Sequence, residues 1–134
     1  MPADAAAHVR IARPSLDLEA AERFRVAGLG LAVQYRHEAD GTPGRHSLLM
    51  VGWPGAGRHQ ELVHDPAAPG VPRPTPEDLL VVHLGEEVPG ALVRRLEEHG
   101  GTRVPAHNPY GDTWGVTVQD PDGHPLVLST RTWP

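Results

Sequence analysis

The residue types available for chemistry in this sequence are acids, histidines and arginines, because cysteine and lysine are both absent. The lack of cysteine excludes disulfides, thiolate metal ligands and a cysteine nucleophile. The lack of lysine excludes Schiff-base catalysis. Nine histidines are many for a chain of 134 residues, and histidine titrates near neutral pH and is a common base and metal ligand.

Glu61 and His83 are the best candidates for a direct chemical role. Each lies in a predicted strand, and the strand around His83 is otherwise apolar. A half-buried carboxylate can be tuned by its surroundings to bind a ligand or to act as a general base, so Glu61 is the best catalytic candidate. The competing interpretations are a structural ion pair at Glu61 and a pocket-lining histidine without chemistry at His83.

Composition and charge favour a globular domain that does not bind nucleic acid. The chain is 39% hydrophobic and 22% charged, with a formal net charge of −5 and no basic run, which argues against a nucleic-acid surface. No apolar run approaches the about 18 residues that a membrane span needs. The N-terminal residues lack the basic start and apolar segment of a secretory signal, so we expect a cytoplasmic protein.

The first half of the chain predicts a strand, a helix and three more strands. The helix begins after Asp17, a typical N-cap. Ala20, Phe24 and Ala27 form an apolar stripe on it before a glycine ends it. The strands are predicted at residues 8–13, 29–37, 47–53 and 59–64. These elements make up a first module over residues 8–65.

The second half repeats that order in residues 77–133, after a linker. Residues 65–76 contain five prolines and cannot form regular structure. A helix begins at Pro89, between strands predicted at 79–84 and 102–104, and a hairpin ends the second module. An internal duplication is the economical interpretation.

The final hairpin has the clearest turn signal in the sequence. In the stretch Asp-Pro-Asp-Gly at 120–123, Pro121 fixes one φ angle and Gly123 supplies a positive one. One face of the two strands is apolar and is predicted to pack against helices; its members are Trp114, Val116, Val118, Leu126 and Leu128. The other face is mixed, and its Thr117 is a candidate ligand contact.

Two of the few aromatic side chains are placed where they could cover a ligand. Trp53 ends a predicted strand before a Pro-Gly turn, where it could rim a pocket. Tyr110 lies in a proline-flanked loop that leads into the hairpin, a suitable place for a lid contact. We therefore include both among the candidate ligand-binding residues.

Three stretches are similar to a known superfamily. They are residues 16–31, with Leu-Asp-Leu-Glu and Gly-Leu-Gly-Leu at their ends, the tripeptide Gln60-Glu61-Leu62, and residues 120–128. With the duplicated β-α-β-β-β order, they resemble the vicinal oxygen chelate superfamily of glyoxalase and bleomycin resistance-type proteins. Asn-Pro-Tyr at 108–110 and Arg-Thr-Trp at 131–133 resemble a bacterial subgroup of uncharacterised glyoxalase-like proteins.

The resemblance implies the fold and the assembly. We expect an α+β fold in which two tandem β-α-β-β-β modules form a cup-shaped mixed sheet with helices outside. The two modules would form a single domain over residues 1–134. A homodimer is also implied, since members of the superfamily commonly build their cups across or beside a dimer interface.

Metal enzymes of this superfamily hold a divalent ion with four ligands inside the cup. The corresponding positions here are Arg10, Glu61, Leu79 (Val81 with a different loop alignment) and Val127. Only Glu61 offers a metal donor, and a permanent cation at Arg10 would repel the ion. The resemblance therefore implies no metal cofactor, with an Arg10–Glu61 ion pair in its place.

A relocated metal site is the alternative. His8, Glu61 and His83, with His59 as a further donor, could bind one divalent ion such as Zn, Ni, Mn or Fe if their strands are regular. Such a site would keep the metal chemistry of the superfamily with a different set of ligands.

Three functions remain open at this point. The first is a metal-independent small-molecule-binding protein, for example a resistance protein that sequesters an antibiotic or an aromatic metabolite. Its candidate ligand contacts are Arg10, Trp53, His59, Glu61, His83, Tyr110 and Thr117. The second is a lyase, isomerase or dioxygenase of glyoxalase type that uses a divalent metal to polarise vicinal oxygens. The third is a metal-free biosynthetic enzyme with Glu61 as general base.

Overall fold

The first module forms a four-stranded mixed sheet with one helix packed against it. The computed structural model describes residues 3–133. The elements of this module are β1 (Val9–Pro14), α1 (Leu18–Glu22), β2 (Ala32–His37), β3 (Ser47–Gly52) and β4 (Arg58–His64). The strand order is β1-β4-β3-β2, with β1 parallel to β4 and the other neighbours antiparallel. We call this the first sheet.

The second module repeats this topology in a second sheet. Its elements are β5 (Leu80–His83), α2 (Gly90–Glu98), β6 (Thr102–Val104), α3 (Pro109–Trp114), β7 (Gly115–Gln119) and β8 (Pro125–Ser129). The order is β5-β8-β7-β6, again with one parallel pair, β5 and β8. The predicted α+β fold of two tandem β-α-β-β-β modules is confirmed, with α3 as an addition. Residues 65–79 between the modules contain no helix or strand.

The first helix starts as predicted but changes its winding. The Asp17 side chain accepts a hydrogen bond of 3.1 Å from the Ala20 N–H and so caps the helix. After Glu22 the helix continues as a π-helical segment, Arg23–Gly28, in which Phe24 and Arg25 are buried. Ala27 is exposed, so its predicted place on the apolar stripe is wrong. That prediction assumed an α-helical period, and a π-helical turn holds more residues.

Arg25 joins the two modules through a buried ion pair. Its Nη2 lies 2.6 Å from Asp120 Oδ2, and its Nε donates to Gln60 Oε1 at 2.9 Å. Arg25 is 3% exposed and Asp120 is 5% exposed. Because Asp120 opens the β7–β8 turn, this pair connects the first module's helix to the second module's hairpin. A buried charge of this kind requires its partner.

One hydrophobic core is shared by both modules. It consists of Ala21, Phe24, Leu29, Leu31, Leu49, Val51, Leu62, Val93, Leu96, Val118, Leu126 and Leu128. The π-helical segment packs against α2, and α2 packs against β6 and β7. A Cβ at Gly101 would lie 2.6 Å from the carbonyl oxygen of Leu96, so the chain approaches α2 too closely there for any side chain.

Each helix in the described residues is too short or too polar to cross a lipid bilayer.

The hairpin prediction is confirmed except at its first residue. Val118, Leu126 and Leu128 are buried in the core. Trp114 is not: it belongs to α3 and is 41% exposed, so its predicted core position is wrong. The strand begins one residue later, and strand parity therefore does not apply to Trp114. The missed signal was Asn108, whose side chain accepts from the Tyr110 N–H at 3.1 Å and caps α3.

Candidate functional site

A cavity of about 540 Å³ lies on the exposed face of the second sheet. Its floor is one row of side chains, which crosses the sheet in the order Val81, Val127, Thr117 and Val104. Residues directly opposite one another on neighbouring strands project from the same face. This row is therefore apolar except for Thr117, and the polar side chains of His83, Gln119 and Ser129 line the same cavity beside it.

The walls of this cavity are aromatic on one side and proline-rich on the other. Tyr110 and Trp114 belong to the aromatic wall, with ring centroids 6.3 Å apart. The opposite wall comes from residues 74–77 of the segment between the modules, and Glu77 forms an ion pair of 3.4 Å with His107 at the rim. A volume in this range suits a small organic ligand, since such sites commonly measure about 300–1,000 Å³.

Thr117 is the polar residue at the centre of the floor. It is 5% exposed, and its Oγ1 is buried without a hydrogen-bond partner among the described residues. Leaving a buried hydroxyl unpaired costs about 1–3 kcal/mol. The hydroxyl therefore lacks a partner, but its Oγ1 is covered rather than open to the cavity.

A second cavity, of about 370 Å³, lies at the seam between β1 and β5 and is called the seam cavity here. It is lined by Trp53 and His59, while His83 borders both cavities. Tyr110 and Thr117 line the first cavity. The predicted ligand contacts are thus divided between two places rather than gathered in one.

Arg10 and Glu61 line neither of these two cavities. The predicted ion pair between them is present, with Arg10 Nε 3.7 Å from Glu61 Oε2. Glu61 is buried, whereas more than half of the Arg10 side chain is exposed. At this distance and exposure the pair contributes less than about 1 kcal/mol to stability.

The donor set does not fit the divalent metal of the superfamily's enzymes. His8 Nε2 and His59 Nδ1 lie 2.6 Å apart, but the neighbouring Glu61 carboxylate already faces Arg10. Val127 offers hydrocarbon at a position where those enzymes carry a ligand. Among residues 3–133, no group of three or more His, Asp or Glu side chains is close enough to hold a metal ion. The relocated site of His8, Glu61 and His83 is therefore not assembled within the described part of one chain.

Sequence reasoning missed several residues of the first cavity. Val81 and Val127 were expected inside the cup only as positions without a metal ligand, and Val104 was not singled out. Strand parity could have placed all three in one row with Thr117. The asparagine-proline helix start could have placed Trp114 on a short helix. No sequence signal indicates the stacking of Arg131 on Trp114, with 4.9 Å from the guanidinium carbon to the ring centroid.

The chain is similar to the protein YycE of Bacillus subtilis over nearly all of its length. Residues 77–130 match the family described as the YycE-like C-terminal domain. The chain is 35% identical to the uncharacterized protein YycE of Bacillus subtilis over 125 residues, which cover 92% of this chain and 87% of that protein. The crystal structure of B. subtilis YycE, a protein of unknown function, aligns with a TM-score of 0.81 and 31% identity over 96% of this chain and 93% of that chain.

Two structures from Streptomyces sp. CB03234 are similar at lower identity. A glyoxalase/bleomycin resistance protein is 26% identical, with a TM-score of 0.55 over 92% of this chain and 99% of that one. TnmS3, an antibiotic binding protein, is 28% identical, with a TM-score of 0.58 over 97% of this chain and 100% of that one. Together with the full-length match to YycE, these similarities show that the chain belongs to the YycE-like family of the vicinal oxygen chelate superfamily.

Proposed function

We propose that this protein binds an apolar, aromatic small molecule, such as an antibiotic, in the cavity on its second sheet, and that it does so without a metal ion. The observation that carries the proposal is the floor row of Val81, Val127, Thr117 and Val104. Hydrocarbon at these positions favours an apolar ligand, because removing apolar surface from water contributes about 25 cal/mol of favourable free energy per Å².

The walls and the floor support an aromatic ligand with a polar edge. Tyr110 and Trp114 offer ring faces and edges for offset or edge-to-face contacts, each worth about 0.5–1.5 kcal/mol beyond burial. A carbonyl or hydroxyl oxygen on the ligand would pair with the Thr117 hydroxyl once a rotation about χ1 turns the covered Oγ1 into the cavity. The similarity to TnmS3, an antibiotic binding protein, is consistent with this class of ligand.

A homodimer is part of the proposal and rests on the exposed face of the first sheet. The row Ala12, Glu61, Met50 and Tyr35 crosses that face, and Tyr35 is 47% exposed. This row can reach the ligand if a second copy places it over the second sheet. Sedimentation analysis should give the mass of a dimer, and a Tyr35→Glu variant should shift it to the monomer. A monomeric wild-type protein at the concentrations used for binding would contradict the assembly.

A metal-free enzyme is the second candidate, favoured by the buried carboxylate of Glu61. If Glu61 is a general base, Glu61→Gln should retain ligand binding and lose turnover. If Glu61 serves only the pair with Arg10, the wild-type protein should bind the ligand and release it unchanged.

The binding proposal is tested by a thermal-shift screen of aromatic natural products on metal-stripped protein. A ligand at one hundred times its Kd adds about 2.7 kcal/mol to the stability of the folded state, which raises the Tm by several degrees. Trp114→Ala should weaken binding by about tenfold through the loss of one aromatic contact. Trp53→Ala, in the seam cavity, is the matched control and should keep the shift. Binding that requires an added divalent ion would instead support a metal-dependent enzyme of glyoxalase type.

A further inference from the structure

Residues 105–114, which we call the lid, form the aromatic wall of the first cavity without joining the hydrophobic core. Most of them line the cavity, yet none is buried. Segments that open most readily in proteins are those with few buried apolar contacts. The lid is therefore attached to the rest of the fold by a small number of specific contacts.

The hydrogen bonds of the lid are made mostly between its own residues. The Ala106 N–H donates to Asp112 Oδ1 at 2.9 Å. The Asn108 side chain accepts from the Tyr110 N–H at 3.1 Å, and the Asn108 carbonyl accepts from the Gly111 N–H at 2.8 Å. All three bonds lie within the lid, and none of them joins it to either sheet.

One end of the lid is fixed by the sheet. Thr130 donates from both its backbone N–H and its hydroxyl to the carbonyl of Trp114, at 2.8 and 3.0 Å. The next residue, Gly115, lies against β8 so closely that a Cβ would be 2.3 Å from the Leu128 carbonyl oxygen. The junction at residues 114–115 is therefore one hinge of the lid, and the other lies at residue 105, which follows β6 directly.

Arg131 holds the two aromatic side chains of the lid, Tyr110 and Trp114, against this junction. Its guanidinium donates to the Tyr110 hydroxyl and lies 4.9 Å from the ring centroid of Trp114 and 5.8 Å from that of Tyr110. Both aromatic side chains of the lid thus contact a single arginine, which itself is not among the residues that line the cavity. Apart from the Thr130 hydroxyl at the junction, the lid has one further polar side-chain contact among the described residues, His107 to Glu77, which is well exposed on both sides and correspondingly weak.

We infer that the lid opens and closes over the cavity, and that Arg131 is the latch that sets how often it is open. The role as a ligand gate rests on the proposed small-molecule binding, but the latch itself is a property of the ligand-free protein. Arg131 is a positioning residue: it acts on the ligand through Tyr110 and Trp114, by keeping their rings at the cavity wall.

Hydrogen exchange of the ligand-free protein tests the latch. In Arg131→Ala, the backbone amides of residues 105–114 should exchange about tenfold faster, because a cation–π stack and one hydrogen bond from a charged donor are lost. The amides of β7 and β8 should keep their wild-type rates. Arg45→Ala, a change at an exposed arginine in the turn between β2 and β3, is the matched control and should leave the lid unchanged. An unchanged lid in Arg131→Ala, or equal acceleration throughout the chain, would overturn the inference.

A fluorescent probe separates the gate from the binding proposal. 1-Anilinonaphthalene-8-sulfonate, an aromatic anion, should dissociate about tenfold faster from Arg131→Ala than from wild type in stopped-flow experiments. Equal dissociation rates alongside faster lid exchange would overturn the gating role. If the probe shows no saturable binding to the wild type, that result counts against the proposed binding function, while the exchange rates still decide the latch.

Discussion

Replacing Asp120 with asparagine should destabilise the protein strongly, because it removes one charge from a buried ion pair. Asp120 Oδ2 lies 2.6 Å from Arg25 Nη2. The other carboxylate oxygen, Oδ1, accepts the N–H groups of Asp122 and His124 at 2.9 and 2.8 Å. Asparagine has nearly the same shape and can keep these two bonds through its carbonyl oxygen, but its NH2 group then faces the Arg25 guanidinium. Asp120→Asn therefore removes both the charge and the acceptor of Arg25 while leaving the turn bonds in place.

The expected magnitude follows from the burial of both partners. Removing one member of a buried pair typically costs about 3–5 kcal/mol, since the remaining charge has neither water nor a counter-charge. For a domain of this size, 1 kcal/mol corresponds to a Tm change of about 3–5 °C. We therefore expect Asp120→Asn to lower the Tm by about 10–20 °C. The exposed pair of Arg36 and Glu22, at 2.5 Å, provides the comparison, and Glu22→Gln should cost less than about 1 kcal/mol.

Urea unfolding followed by circular dichroism measures both effects, and a double-mutant cycle isolates the pair. The single variants Asp120→Asn and Arg25→Met should each be destabilised by several kcal/mol. The double variant should lose less than the sum of the two, because neither charge is then left alone. If Asp120→Asn costs no more than Glu22→Gln, the buried pair does not hold the two modules together, and this explanation of their junction is wrong.

Three further predictions concern pH and the backbone. Burial lowers the pKa of His124 below its ordinary value of 6.5. Because the unfolded chain then binds the proton more readily, stability should fall as the pH drops below about 6.5. Urea midpoints of the wild type should decrease with falling pH in this range, and those of His124→Phe should decrease less. Asp17→Ala removes the helix cap and should cost about 1 kcal/mol in the same assay. Gly101→Ala places a Cβ 2.6 Å from the Leu96 carbonyl oxygen and 2.7 Å from Val118 Cγ1, and this overpacking should cost about 1–3 kcal/mol.

Each of these predictions has a control on the same chain. For the pH prediction the control is Gly57→Ala, which changes no titratable group and should keep the wild-type pH profile. Asp17→Asn retains a capping oxygen and should be nearly neutral. A Cβ at Gly57 meets no atom within 4 Å, so Gly57→Ala should change stability by less than about 0.5 kcal/mol. A His124→Phe profile identical to that of the wild type, or a Gly101→Ala variant as stable as Gly57→Ala, would contradict the corresponding argument.

The fold could be predicted from the sequence because its strands and turns carry local signals. Alternating faces placed Val118, Leu126 and Leu128 in the core, and Asp17 was recognised as a helix cap. The errors arose where the chain does not follow the helix or strand period that was assumed from the sequence. Ala27 left the apolar stripe because the helix winds as a π-helix, which brings Arg25 to Asp120, a partner 95 residues away in sequence.

The candidate site could be predicted only in part, because it depends on contacts between distant segments. Strand parity placed Thr117 on the mixed face of the hairpin. Tyr110 was singled out by its place before the hairpin, but the predicted loop there is wrong because Tyr110 lies in α3. The Arg10–Glu61 pair followed from the resemblance to the superfamily. The stacking of Arg131 on Trp114 depends on how the segment after β8 passes α3, and spacing along the chain does not indicate it.

The most direct test of metal-independent binding is isothermal titration of an aromatic ligand found in the screen, with the protein dialysed against EDTA and its metal content measured. We predict the same Kd before and after dialysis, with far less than one metal ion per chain. The account would be contradicted by binding that disappears with EDTA and returns with one equivalent of Zn, Ni, Mn or Fe.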